Sequence, residues 1–174
     1  MPVYLKDINE FQELEKFNSV LIVPCRFCPA ASLAIRKNKP YFEFLSQFLK
    51  TAAYEDYIET TRSDLERKGV KSDVFKSRLP HQFVVCMWTE RRRKKLMKRA
   101  MKYDALLVMG CEAALQTICD SVRSTSCEVF QGMKSEGIMS IQPRFQMPCN
   151  ITLELNHITP LVHQAENTVP WISL

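Results

Sequence analysis

Glycine is scarce, with four in 174 residues. Neither GxGxxG nor GxxxxGK[ST] occurs, which argues against a dinucleotide or P-loop phosphate cradle. No apolar run approaches the ~20 residues that a membrane span needs. The first residues, Met-Pro-Val-Tyr-Leu-Lys-Asp-Ile-Asn-Glu, have no apolar core and carry acids early. No secretory signal is therefore expected, and the cytoplasm is the expected compartment. Histidine is sparse too. His81, His157 and His163 have no acid or nucleophile at a productive spacing, so each reads as a surface or capping residue before a catalyst. There is no internal repeat and no low-complexity tract.

Against these absences stand seven cysteines. In a reducing compartment cysteines serve as metal ligands, reactive thiols or small buried hydrophobes rather than disulfides. An odd count also excludes a complete intramolecular disulfide framework. The hydrophobic share of 46% and aromatic share of 10% suit a globular core. The length suits one domain. Residues 1–156 are expected to form a single α/β metal-binding domain, and 157–174 an irregular tail.

Three short apolar runs read as strands: 19–23 (Ser-Val-Leu-Ile-Val), 82–86 (Gln-Phe-Val-Val-Cys) and 105–109 (Ala-Leu-Leu-Val-Met). The first and last are apolar without alternation, as in a parallel sheet covered on both faces. Helical patterns fall over 7–17, from Pro29 towards Arg36, over 41–49, over 54–68 with Gly69 as its C-cap, over 89–103, and from Ala113 to Val122. Residues 70–77 read as edge strand or loop, 127–130 and 151–155 as strands, and 132–150 as loop. This alternation predicts an α/β fold: a Rossmann-like open, mainly parallel sheet with helices on both faces.

Cys25 and Cys28 follow the first run, Cys86 ends the second, and Cys111 follows the third. In open parallel sheets the carboxyl ends of the strands gather at one edge, where ligands bind. Parallel pairing would bring all four thiols there. Cys-x-x-Cys lets two thiolates reach one metal, and two more complete a shell for one zinc ion or one [4Fe–4S] cluster. The competing reading makes Cys25 and Cys28 a dithiol redox pair, with Cys86 and Cys111 merely buried. Cys119 reads as structural, and Cys127 and Cys149 as inert thiols before reserve ligands.

The net charge of +5 is local. Arg91, Arg92, Arg93, Lys94, Lys95, Lys98, Arg99 and Lys102 crowd the helix expected over 89–103. A solvated face is the simplest account. A docking surface for an acidic partner or an anionic cofactor, such as a polyglutamylated folate, comes second. Nucleic acid ranks last, in a structural zinc domain, because no recognised motif accompanies the charge.

The order of these motifs resembles the N-terminal domain of the MetV-type small subunit of bacterial methylenetetrahydrofolate reductases. The stretches are Val-Leu-Ile-Val-Pro-Cys-Arg-Phe-Cys, Phe-Val-Val-Cys-Met-Trp-Thr-Glu-Arg-Arg-Arg and Tyr-Asp-Ala-Leu-Leu-Val-Met-Gly-Cys-Glu-Ala-Ala-Leu-Gln-Thr-Ile. The similarity spans roughly residues 15–130, without the family's C-terminal iron–sulfur module, and Cys111 is followed by Glu-Ala-Ala where the family has Gly-Ala-Gly. It implies that Cys25, Cys28, Cys86 and Cys111 are metal ligands. It also implies the role of an accessory subunit in one-carbon metabolism beside a flavoprotein or methyltransferase partner.

Overall fold

The computed structural model describes residues 2–8, 12–43, 51–77, 82–147 and 150–161. The strands and helices are β1 (Val3–Asp7), β2 (Ser19–Pro24), α1 (Cys28–Arg36), β3 (Phe42–Glu43), α2 (Ala52–Arg67), β4 (Lys71–Val74), α3 (Glu90–Ala100), β5 (Ala105–Met109), α4 (Glu112–Val122), β6 (Glu128–Gln131), β7 (Met133–Gln146) and β8 (Asn150–Pro160). Two 3-10 turns, Gln12–Lys16 and Val85–Met87, link them.

Half of the expected architecture is present. A parallel sheet runs in the order β4-β2-β5-β6. Beside it stands an antiparallel sheet, β1-β7-β8-β3, which the sequence reading did not anticipate. The protein is therefore mixed α/β rather than built on one mainly parallel sheet. α1 bridges the two halves, packing on β1, β8 and α2, while α2 rests on β4 and α3 on α4.

β2 is buried from Val20 to Pro24 and β5 along its whole length, which explains their unbroken apolar runs. Their starts are clamped by one carboxylate. Asp104 Oδ2 accepts from Ser19 N and Ser19 Oγ, each at 2.9 Å, and Asp104 N donates to Ser19 Oγ at 3.1 Å.

Several expectations need correction. The apolar run at 82–86 is not a strand: Val85–Met87 forms a 3-10 turn, and the strand beside β2 is β4. Residues 3–7 are strand, so the helix expected over 7–17 shrinks to the turn at Gln12–Lys16. The stretch 132–150 is mostly the long strand β7 rather than loop, and 157–160 belong to β8 rather than to an irregular tail. Phe42 and Glu43 are strand, and the rest of the helix expected over 41–49 falls mostly outside the described residues, as do His81, His163 and Cys149. Among the described residues no helix is long and apolar enough to cross a membrane.

Leu106 is fully buried in β5, next to the central strand β2. Leu106→Ala is expected to cost about 2–5 kcal/mol, from lost transfer energy and the cavity left behind. Equilibrium denaturation will show this as a lowered midpoint with an unchanged slope.

Candidate functional site

In the parallel sheet the chain passes from β2 outward to β4, then crosses back to β5 and on to β6. The order reverses between β2 and β5. A reversal of this kind leaves a crevice at the strands' carboxyl ends, the usual ligand position in such sheets. Cys25 follows β2 and Cys111 follows β5, so both stand at the reversal. The register pairs Pro24 with Met109, and Cys25 N donates to Met109 O at 2.9 Å. Gly110 permits the close approach: a β-carbon there would lie 2.7 Å from Ala114 Cβ and 3.3 Å from Cys25 Cβ.

Cys28 opens α1, with Pro29 in the first turn, where its missing N–H costs nothing. Its thiol and the sulfur of Cys111 bear on each other's ionisation more than any other group does. Cys111 occupies the N-cap position of α4. The Cys28 thiol and the backbone N–H groups of Ala113 and Ala114 lower its pKa to about 6 despite burial. Cys28 moves the opposite way, because a charge held on Cys111 opposes one on Cys28 and Cys28 is itself desolvated. Cys25 is pushed up to about 11, chiefly by burial, against hydrogen bonds from the backbone of Val85 and Phe27. Exposure is 2% for Cys25, 9% for Cys28 and 7% for Cys111.

Cys86 arrives by a different route from the one expected. It lies on the exposed 3-10 turn rather than at a strand end. A charge on it still bears on Cys25, and the neighbouring Val85 touches Cys25 through its backbone. The four thiols thus share one neighbourhood, three inside and one at its rim. Among the described residues no three Cys, His, Asp or Glu side chains already stand at metal-holding separation. Cys119 and Cys127 are half-buried and feel Asp120, and Asp104 with Glu128, rather than this group. His157 lies exposed on β8.

Sequence reasoning missed Arg26, which sits between the first two thiols. It is only 7% exposed, and it grips Glu55 of α2 with Nε to Oε1 at 2.6 Å and Nη2 to Oε2 at 3.1 Å. Its backbone N–H donates to Phe83 O at 2.8 Å, tying the thiol loop to the segment before the 3-10 turn. Glu112 was missed too. It follows Cys111 and accepts from Ser135 Oγ, from Ser135 N at 3.3 Å and from Gln131 Nε2 at 3.3 Å, anchoring the start of α4 to β7. No local pattern marks either residue, because their partners are distant in sequence.

Comparison with family models, with curated proteins and with solved structures finds no match to this chain.

The Cys28–Cys111 contact makes a titration testable. A carbon-NMR titration of the Cys111 β-carbon is expected to show a step near pH 6, with thiolate above it. Cys28→Ala removes the S–H donor and should move the step upward. A step at the ordinary thiol value in both proteins would show that the contact has no influence on Cys111.

Proposed function

We propose that Cys25, Cys28, Cys86 and Cys111 hold one zinc ion or one [4Fe–4S] cluster. The observation that carries this is the burial together of three thiols at the sheet's reversal point, with a fourth on an adjoining turn. Buried thiolates repel one another and lose hydration, and a cation relieves both penalties. The donor set is soft and purely sulfur, which suits zinc or iron–sulfur rather than magnesium or calcium. Loading draws the exposed turn carrying Cys86 inward, since zinc–sulfur bonds are about 2.3 Å long. Zinc in a closed four-thiolate shell fastens elements together, whereas a cluster adds one-electron transfer.

The wider setting we propose is that of a cytoplasmic accessory subunit in methylenetetrahydrofolate or methyl-transfer metabolism, docked on a flavoprotein or methyltransferase. The resemblance of motif order supports it. The basic helix α3 offers a place for the anionic tail of a folate, and no residue of this chain is assigned a catalytic role. The strand order of the parallel half supports a Rossmann-like sheet with helices on both faces.

One observation favours a second reading. The thiols most strongly linked in their ionisation are Cys28 and Cys111, rather than Cys25 and Cys28, so a dithiol function would use that pair. Their burial leaves little room for a bulky disulfide to approach, which is why the metal reading is preferred.

Protein purified without oxygen, or reconstituted with zinc or with iron and sulfide, is expected to hold about one centre per chain. A cluster would add absorption near ~400 nm. Cys28→Ser and Cys111→Ser should each abolish the centre, while Cys119→Ser and Cys127→Ser should leave it intact. Full occupancy in the first two variants, or no uptake by the unaltered protein, defeats the metal reading. A reversible Cys28–Cys111 disulfide in metal-free protein would then support the dithiol.

A further inference from the structure

The charge run on α3 hides one residue that behaves unlike the rest. Arg92 is folded inward. Its guanidinium carbon lies 4.3 Å from the centre of the Phe75 ring and 5.1 Å from that of Trp88. Nη2 donates to Lys76 O at 2.6 Å and to Ser77 Oγ at 3.1 Å, both neutral acceptors. Nε is buried and has no hydrogen-bond partner among the described residues. Burial lowers the pKa of the guanidinium, and the nearby charge of Arg26 lowers it further. A cation withdrawn from water normally has a carboxylate beside it. Arg26 has Glu55. Among the described residues Arg92 has none.

Arg92 lines a groove of about 650 Å³ at the carboxyl end of β4, together with Asp73, Lys76, Gln82, Lys95 and Arg99. Four cations face one carboxylate there, and that carboxylate is already engaged by Arg99 at 3.6 Å and by the Tyr103 hydroxyl at 2.5 Å. Lys76 and Lys95 have no acidic partner among the described residues. Elsewhere on α3, Lys94 is paired with Glu90 at 3.1 Å. Arg91, Arg93, Lys98 and Lys102 also have no acidic partner among the described residues, so the groove concentrates one part of the uncompensated charge of this segment. The volume matches sites for small molecules. A stacked, immobilised guanidinium at the wall of a concavity is the preorganised form in which arginine recognises phosphate and carboxylate oxygens.

We propose that the groove between the end of β4 and α3 binds a small molecule carrying more than one phosphate or carboxylate group, with the half-buried Arg92 as the anchor and Lys76 and Lys95 completing the cradle. This site is separate from the thiol centre and does not depend on that centre's holding metal.

Isothermal titration of the full chain with pyrophosphate and with citrate, at fixed ionic strength set by sodium chloride, tests this. At least one of the two is expected to bind saturably, and the tighter one assigns the oxygen chemistry. Arg92→Gln should weaken binding about tenfold or more. Lys95→Gln, at an exposed position that keeps the fold intact, should weaken it severalfold. Lys94→Gln and Lys102→Gln lie outside the groove and should leave it unchanged. The proposal is overturned if neither anion binds, or if Lys94→Gln weakens binding as much as Lys95→Gln. It is also overturned if duplex DNA binds more tightly than both anions with the same dependence on Arg92 and Lys95, since the ligand is then nucleic acid.

Discussion

The parallel pairing of β2 with β5 is the constraint on which the rest depends. Both strands are buried, from Val20 to Pro24 and from Ala105 to Met109. Each large apolar side chain withdrawn from water contributes about 1.5–3 kcal/mol, so a shift in register would forfeit many such contributions at once. The register fixes where each strand ends, and the strand ends fix the thiols. Met109 O is the junction: it accepts from Cys25 N at 2.9 Å and from the fully buried Tyr54 hydroxyl at 3.0 Å. One carbonyl thereby joins β2, β5 and α2 beneath the cysteines. The Asp104–Ser19 clamp holds the opposite end. Asp104, which opens the stretch leading into β5, thus has a structural task far from the thiols.

Packing and electrostatics then divide the labour within the thiol group. Cys28 and Cys111 are linked in their ionisation, so ionising one opposes ionising the other. The helix decides which sulfur carries the charge. At the N-cap of α4, Cys111 meets N–H groups that favour an anion. The arginine between Cys25 and Cys28 does not compete for this role, because Glu55 neutralises it in a two-point contact. Burial therefore dominates Cys25.

Long apolar runs made β2 and β5 legible, and with them the positions of Cys25, Cys28 and Cys111. The run before Cys86 misled because three apolar residues suit the approach to a turn as well as a strand. The place beside β2 goes instead to Lys71–Val74, whose polar residues suit an edge with little burial. β7 was hidden for another reason. Its buried positions are held by Met133, Ser135, Gly137 and Met139, so the alternation exists in burial but scarcely in hydropathy. Gly137 is there for the fit: a β-carbon would fall 2.5 Å from Ile158 Cγ2 and 2.6 Å from Thr159 O. Beyond Ile141 the residues of β7 are exposed, as are Phe145 on it and Met147 after it, so hydrophobicity no longer reports burial on that strand.

The basic helix shows why composition alone cannot assign a charge run. Leu96 and Ala100 are fully buried and fasten α3 to the core, and Tyr103 reaches Asp73 on β4 just after the helix ends. That seam sets the helix's rotation. The rotation turns Arg92 towards Phe75 and Trp88 while Arg91, Lys94 and Lys98 stay in water. Aromatic faces stabilise a guanidinium by about 0.5–2 kcal/mol, enough to hold it in place without supplying an opposite charge. Two arginines therefore stand buried or partly buried near one sheet edge in opposite states. Arg26 is neutralised and leaves the thiols to their own chemistry. Arg92 has no carboxylate beside it among the described residues, and it lines the groove at the end of β4.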